Sequence, residues 1–223
     1  MPAPIDGIYT RIFALRDLAS GYQLAWDGVP DESADHVVGI LVVLFVLYGP
    51  PLVIKADNGA AFIATATRCL LHRHRVHLLL SPAYTPSYNG ACEAGNGTIK
   101  HHAEALACRH GRPGRWTLDD LEGARLWANR DITDRHQTDT PEERLRHRTP
   151  ISQPERDQFR QAVDAAAERR RNDQATVATD SRPRTIHADA LARQAIADAL
   201  KGLGICTIRS RPVRLPNPIR KTG

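Results

Sequence analysis

The sequence is poor in cysteine, and its cysteines are not spaced as pairs. Among 223 residues there are four, Cys69, Cys92, Cys108 and Cys206, and no two of them form a Cys-x-x-Cys pair. This pattern argues against a disulfide framework and against a cysteine-based zinc site. We therefore expect four free, buried thiols.

The chain also lacks an apolar run long enough to cross a membrane. Its most apolar run, Val37–Tyr48, is interrupted by Gly39 and falls well short of the roughly 20 residues that a bilayer requires. Because Asp35 precedes this run, a buried amphipathic helix with an acidic N-terminus is predicted. Met1 leads into prolines instead of a basic and apolar signal segment. These features predict a soluble, cytoplasmic protein of bacterial type, with no membrane partner.

The histidines lack the spacing of a metal site. His72, His74 and His77 are separated by intervals of two, three and five residues, which no single helix face accommodates. They are interpreted as a solvated basic helix end. His101 and His102 likewise have no accompanying cysteine pair.

Acidic residues are missing from the C-terminus. Residues 201–223 contain 6 Lys or Arg and no Asp or Glu, so they supply the excess behind the net charge of +5. Basic and apolar residues alternate there with prolines, a pattern typical of a short strand or an extended arm along a phosphate backbone. Arg209, Arg211 and Arg214 are the predicted DNA contacts. The alternative is a disordered basic terminus that aids solubility.

Two carboxylates stand in settings that suit metal-dependent phosphoryl chemistry. Leu52–Ile54 reads as a buried strand, and Asp57-Asn58-Gly59 closes it at the carboxyl edge, where open α/β sheets bind ligands. Further along, Asn89 can cap a helix that begins near Gly90, which places Glu93 in the first helical turn. Asp57 and Glu93 are therefore the candidate catalytic and metal-binding residues.

Basic and amide side chains accompany these acids. Lys100 returns to nearly the same helix face as Glu93, and Asn58 directly follows Asp57. A divalent Mg²⁺ ion commonly takes one or two carboxylates and leaves its other positions to water and phosphate oxygens. Lys100 and Asn58 are the predicted phosphate contacts near the site. For Lys55, a structural or solvated role is as consistent with the sequence as a functional one.

At Gly49–Phe62 and Ser81–Lys100 the sequence resembles the integrase core of the DDE transposases and retroviral-type integrases, which belong to the ribonuclease H-like superfamily. In that family 35 residues separate the last two catalytic acids, as they separate Asp57 and Glu93 here. The segment Arg16–Trp26 is similar to the family's second and third strands. The resemblance covers roughly residues 5–150.

The resemblance implies a fold and an activity. The fold is an α/β, ribonuclease H-like mixed sheet flanked by helices, followed by a helical region and a basic C-terminal arm. The activity is DNA integration or transposition by phosphodiester cleavage and strand transfer, with two Mg²⁺ or Mn²⁺ ions in a complete site. The implied partners are DNA, as element ends and as target, and further copies of the chain in a synaptic complex.

The chain departs from the family at its start. The family's first catalytic aspartate lies on a first strand, and no strand fits the residues before Tyr9. Asp6 follows two prolines and is a weak substitute, and Asp17 reads as a turn residue. We expect a fragment with impaired activity, arising from a mis-assigned start codon, a disrupted transposase gene or a segment cut from a longer chain. The alternatives are an inactive DNA-binding or interaction module and a ribonuclease H or structure-specific nuclease.

Two regions are predicted along the chain: an incomplete integrase core over 1–150, and an appendage over 151–223 containing helices, a linker and the basic arm. The helix predictions after residue 110 rest on apolar periodicity and start signals. They are a helix over Trp116–Asn129, a helix start at Thr140-Pro141, a helix over Arg156–Asn172 ending in three arginines, a linker over Gln174–Arg184, and a helix over Ala188–Leu203.

Overall fold

A computed structural model describes residues 11–82, 88, 90–132, 138–177 and 188–207, with side chains left undescribed at 174–177 and at 188. The chain divides into two compact units, Met1–Asp157 and Gln158–Gly223. The sequence predicts that the integrase core ends at residue 150, and that boundary stays a prediction.

The first unit opens with an antiparallel hairpin of β1 (Arg11–Arg16) and β2 (Gln23–Val29). In the connecting turn the Asp17 carboxylate accepts hydrogen bonds from the Ser20 amide and hydroxyl, and Gly21 has a φ of 79°. Such a positive φ favours glycine, and the aspartate side chain closes the turn by bonding to the backbone three residues on. The turn role predicted for Asp17 is confirmed.

A second strand pair follows the first helix. Helix α1 (Ala34–Tyr48) leads to β3 (Val53–Ala56), then to the short α2 (Ala60–Ile63) and to α3 (Thr65–Arg73), and the segment ends in β4 (His77–Leu80). β3 and β4 pair in parallel, with Val53 opposite His77. Among the described strands, β1–β2 and β3–β4 form separate two-stranded sheets. The α/β class and both kinds of pairing are as predicted, but no described strand joins the pairs into one ladder.

Two apolar clusters hold the strands between layers of helices. One packs Phe13 and Val29 of the hairpin and Ile54 of β3 against α1 and α3, where Leu41 is fully buried. The other lies around Trp26 and involves the later helices described next. Because alternate residues of a strand point to opposite faces, the hairpin contributes to both clusters.

Three further helices lie within the first unit. They are α4 (Gly90–Arg109), α5 (Leu118–Arg130) and α6 (Pro141–Arg146). Thr117 and Thr140 cap α5 and α6, each in a reciprocal capping box with the acid three residues on. Three residues of α4 are fully buried in the second cluster with Trp26, namely Ile99, Ala103 and Ala107. The two alanines are small, so α4 and α5 can approach closely.

The last two helices are α7 (Gln153–Val177) and α8 (Ala188–Gly202), and Arg170 of α7 forms an ion pair with Asp198 of α8 at 2.6 Å. The predicted end of α7 near Asn172 is wrong. The helix continues through Gln174–Val177, into the predicted linker, because the polar and alanine residues there carry no helix breaker. Its three arginines therefore lie inside the helix and not in its last turn.

The prediction of free thiols is correct, and the prediction that they are buried is wrong. All four thiols are free, but Cys69 and Cys108 are exposed and Cys92 and Cys206 only partly buried. Cys69, Cys92 and Cys108 occupy helix positions outside the apolar clusters, and Cys206 lies beyond the end of α8. Four scattered cysteines give the sequence no means of showing this. Among the described helices, none combines the length and the apolarity of a membrane span.

Candidate active site

Asp57 lies immediately beyond the carboxyl end of β3. Its side chain is exposed, and one carboxylate oxygen accepts a hydrogen bond from the Gly59 amide at 3.1 Å. The turn therefore fixes the side chain while leaving its remaining lone pairs available to a ligand. The predicted strand ended by an acid at the sheet edge is present.

Glu93 lies in the first turn of α4, which begins at Gly90 as the sequence predicts. Its side chain is exposed, and a carboxylate near a helix N-terminus is favoured by the helix dipole. The predicted cap, Asn89, lies outside the described residues.

Lys55 joins the strand that carries Asp57 to the helix that carries Glu93. Its ammonium donates a hydrogen bond to the Tyr88 carbonyl, two residues before α4, and lies 4.1 Å from the centre of the Tyr88 ring. Burial lowers the pKa of Lys55, and the neighbouring Cys92 acts in the opposite direction. Lys55 is thus a structural link, and it brings the end of β3 close to the first turn of α4.

Asn58 holds the ends of β3 and β4 together. Its side-chain amide donates to the Ser81 carbonyl at 3.1 Å, and the Ser81 hydroxyl donates to the Ala56 carbonyl at 3.0 Å. One N–H of the Asn58 amide is therefore used within the protein, so the phosphate contact predicted for Asn58 has only its second N–H available.

The face of α4 that Glu93 and Lys100 share is only partly exposed. Lys100 and Glu93 are exposed, whereas Asn96 is half-buried and accepts a hydrogen bond from the Trp26 indole at 3.4 Å. Asn96 therefore anchors α4 to the hairpin. Lys100 stays available for a phosphate.

The described residues contain no cluster of three or more His, Cys, Asp or Glu side chains that could hold a metal ion. Asp57 and Glu93 supply carboxylate oxygens, the ligand type that Mg²⁺ prefers, and this ion accepts as few as one or two protein carboxylates. The pair therefore fits the chemistry of Mg²⁺. Asp6, the weak candidate for a third ligand, and the predicted arm residues Arg209, Arg211 and Arg214 lie outside the described residues.

Arg16 contributes to this region although sequence reasoning gave it no role. Its guanidinium donates to the Ala91 carbonyl in the first turn of α4 at 2.8 Å and to the Gly21 carbonyl at 3.1 Å. It therefore ties the helix that carries Glu93 to the hairpin turn. Because the contact with Ala91 joins residues 75 positions apart, no local sequence pattern could have revealed it.

Comparison with known sequences connects this architecture to retroviral polyproteins. No family model matches the chain. The Gag-Pol polyprotein of avian reticuloendotheliosis virus is 30% identical over 110 residues, which are 49% of this chain and 9% of the polyprotein. The Pol polyprotein of feline endogenous virus ECE1 is 32% identical over 105 residues, 46% of this chain and 10% of that one. The matched region is thus about a tenth of each curated relative.

Comparison with solved structures decides the fold. A chain of the simian T-cell lymphotropic virus intasome in complex with PP2A regulatory subunit B56 gamma matches with a TM-score of 0.54 and 18% identity, over 65% of this chain and 56% of that one. The chain has an integrase-core fold. The catalytic core domain of BIV integrase also matches, with a TM-score of 0.49 and 21% identity over 59% of this chain and 82% of that domain.

The integrase-core fold confirms the fold class that the sequence predicts. In this fold, Asp57 directly follows the end of the parallel strand β3, and Glu93 lies in the first turn of the long helix α4. The roles of the individual residues stay predictions.

Proposed function

We propose that the chain acts in DNA integration or transposition, with Asp57 and Glu93 as its metal-binding acids. One observation carries the proposal: Lys55 connects the strand that ends at Asp57 to the entry of the helix that bears Glu93. Both carboxylates are exposed, and we take this link as support for a shared role in binding divalent cations. The similarity to retroviral polyproteins and the integrase-core fold support the same conclusion.

In this proposal Asp57 and Glu93 hold Mg²⁺ or Mn²⁺, two ions in a complete site. The ions supply Lewis acidity, which activates the attacking oxygen and stabilises the leaving one. The chain's own residues position the DNA: Lys100 on α4 contacts a phosphate, and the free N–H of Asn58 contacts another. In cleavage, a water oxygen bonds to phosphorus as the bond to the 3′ oxygen breaks. In strand transfer, the released 3′ oxygen bonds to a phosphorus of the target as the bond from that phosphorus to the target's own 3′ oxygen breaks, which leaves a 3′-hydroxyl on the target strand.

The described part of the chain offers two acids where the family uses three, so we propose impaired activity. Loss of one shared metal ligand removes charge and geometry together, and rates fall steeply with either. The second candidate is an inactive fragment that binds DNA or joins an assembly of complete copies, and the same shortage of acids favours it. Either role is exercised on DNA in a cytoplasm of bacterial type, as part of a homo-oligomer.

A strand-transfer assay with Mn²⁺ and with Mg²⁺ separates the two candidates. We expect a low yield of joined product that depends on the metal and disappears in Asp57→Asn and in Glu93→Gln. The matched control is Asp119→Asn, which removes an exposed acid from the first turn of α5. Folding of each variant is checked by circular dichroism.

The result has three informative outcomes. Product that is lost in both site variants and kept in Asp119→Asn supports the catalytic proposal. Product that survives Asp57→Asn or Glu93→Gln overturns the assignment of these acids. Metal-independent DNA binding without any product, in folded protein, supports the inactive DNA-binding role.

A further inference from the structure

A cleft separate from Asp57 and Glu93 lies between the β1–β2 turn, the first turns of α4 and the start of α6. Its volume is about 410 Å³, within the range of small-molecule sites. Two arginines, Arg16 and Arg144, are among the residues that line it, and none of the lining residues is an Asp or Glu. The charge that lines the cleft is therefore positive.

The two guanidinium groups meet at one point of the cleft. The position that a Cβ atom on Gly21 would occupy lies 3.1 Å from Nη2 of Arg16 and 3.2 Å from Nη2 of Arg144. Two like charges held this close together raise the local potential, and an anion placed between them relieves the repulsion. The glycine leaves open the space that a side chain would fill.

Backbone carbonyls hold both guanidinium groups in place. Arg16 donates to the carbonyls of Gly21 and Ala91. Arg144 donates to the carbonyl of Ser20 at 2.8 Å and to that of Asp139 at 2.9 Å. A carbonyl fixes the orientation of a guanidinium without neutralising its charge. The pair is thus arranged in advance for an anion whose oxygens can accept a hydrogen bond from each guanidinium.

Gln23, which also lines the cleft, supplies an independent sign of a ligand. The residue is 3% exposed, and its Oε1 atom is buried with no donor among the described residues. A buried acceptor without a donor costs roughly 1–3 kcal/mol. Rotation of the terminal amide toward the cleft lets a ligand N–H or O–H satisfy this oxygen. The ligand therefore carries both an anionic group and a hydrogen-bond donor.

We propose that this cleft binds one nucleotide of a DNA strand, with its phosphate between Arg16 and Arg144 and an N–H group of its base on Gln23. The inference rests on the proposed function for the source of the nucleotide, since a free nucleotide offers the same chemistry. None of the lining residues is aromatic, so the cleft provides phosphate and base-edge contacts without stacking. It holds the strand and fixes its register.

Binding without metal tests the inference separately from catalysis. Calorimetric titrations use the full chain in EDTA with three probes: inorganic phosphate, dAMP, and a single-stranded oligonucleotide of four residues. We expect Arg16→Gln to weaken oligonucleotide binding by about tenfold, the loss typical of one charge-assisted contact. The control Arg68→Gln removes an exposed charge from α3 and keeps the affinity within about twofold.

A second variant avoids the hydrogen bonds that hold Arg16. Leu18 lines the cleft and is 56% exposed, so Leu18→Glu adds a negative charge at its mouth without removing a structural contact. We expect weaker oligonucleotide binding in Leu18→Glu and unchanged binding in Leu118→Glu, which adds the same charge on α5. Circular dichroism confirms that all variants are folded.

Each outcome bears on the inference. Oligonucleotide binding that falls in Arg16→Gln and Leu18→Glu, but in neither control, supports a nucleotide of DNA. If dAMP binds with the same affinity as the oligonucleotide, the ligand is a free nucleotide and the DNA source is overturned. Equal affinities in all variants, or binding of phosphate alone, overturns the site. Because no metal is present, these failures leave the strand-transfer test of Asp57 and Glu93 unaffected.

Discussion

At the scale of single residues, two glycines of α4 have opposite surroundings. Gly95 faces the hairpin, where an added Cβ would lie 2.5 Å from Nε2 of Gln23 and 2.6 Å from Nη1 of Arg16, whereas no atom lies within 4 Å of such a Cβ at Gly97. Glycine lowers the stability of a helix interior. Gly95 is therefore retained for close packing, and Gly97 has no such packing reason.

The two glycines give a matched pair of variants. We expect Gly95→Ala to lower the free energy of unfolding by about 1–3 kcal/mol, because Arg16 and Gln23 must leave their positions. Gly97→Ala should raise it by about 0.5–1 kcal/mol, since alanine favours a helix and meets no neighbour. Urea unfolding followed by circular dichroism measures both. A Gly95→Ala protein as stable as the wild type would show that the contact between α4 and the hairpin is loose.

At the scale of elements, the start of α5 depends on one buried carboxylate. Asp120 is 1% exposed and forms an ion pair with Arg112 at 2.8 Å, and it also accepts from the Thr117 amide at 2.8 Å. Burial by itself raises the pKa of Asp120, but the hydrogen bonds from Arg112 and Thr117 together outweigh it and lower the pKa to about 2. The ionised form is thus favoured in the folded protein.

This pKa predicts a dependence of stability on pH. The pKa of Asp120 is about 2 in the fold and 3.8 ordinarily, so its ionisation stabilises the fold by on the order of 2 kcal/mol at neutral pH. The contribution is complete above about pH 5, falls as the pH drops through 3.8, and is nearly lost at pH 2. We expect Asp120→Asn to be less stable than the wild type at pH 7, with the difference shrinking toward pH 2.5.

Urea unfolding at pH 7, 4 and 2.5 measures the effect. Glu143→Gln provides the control, because Glu143 holds the equivalent place in the capping box of α6 but is solvent-accessible. Its effect should be smaller at every pH. A difference for Asp120→Asn that stays constant across this range would mean that packing, and not charge, explains the loss.

At the scale of the whole molecule, the basic C-terminus predicts how DNA binding responds to salt. Arg209, Arg211 and Arg214 belong to a segment with no acidic residue. Each arginine bound to a phosphate releases counterions, so the logarithm of affinity falls more steeply with the logarithm of salt concentration. The arm and the disordered-terminus interpretations differ in this slope.

The measurement is a salt titration of binding to a DNA duplex by fluorescence anisotropy. We expect replacement of Arg209, Arg211 and Arg214 by glutamine to reduce the slope by about 3, near 1 for each phosphate contact. The control changes the same number of charges elsewhere, at the exposed residues Arg68, Arg73 and Arg115. Equal slopes for the two triple variants would favour a terminus that only aids solubility.

The sequence by itself determined the elements of this protein. Apolar runs closed by turn residues located β3, and capping residues together with helical periodicity located α4, α5 and α6, because these signals act within a few residues of each other. The placement of Asp57 at a strand end and of Glu93 in a first helical turn is local in the same sense. Periodicity did not show where α7 ends, since helix propensity varies little between its polar residues.

Only the tertiary structure decided which side chains meet. The Lys55–Tyr88 link, the hold of Arg16 on α4, and the cleft with its two arginines and Gln23 all join segments distant in the chain. The separation of the strands into two pairs also depends on which edges lie together. Such contacts arise where apolar faces pack on a common core. This packing fixes no sequence separation between the residues that meet, so the sequence alone does not reveal them.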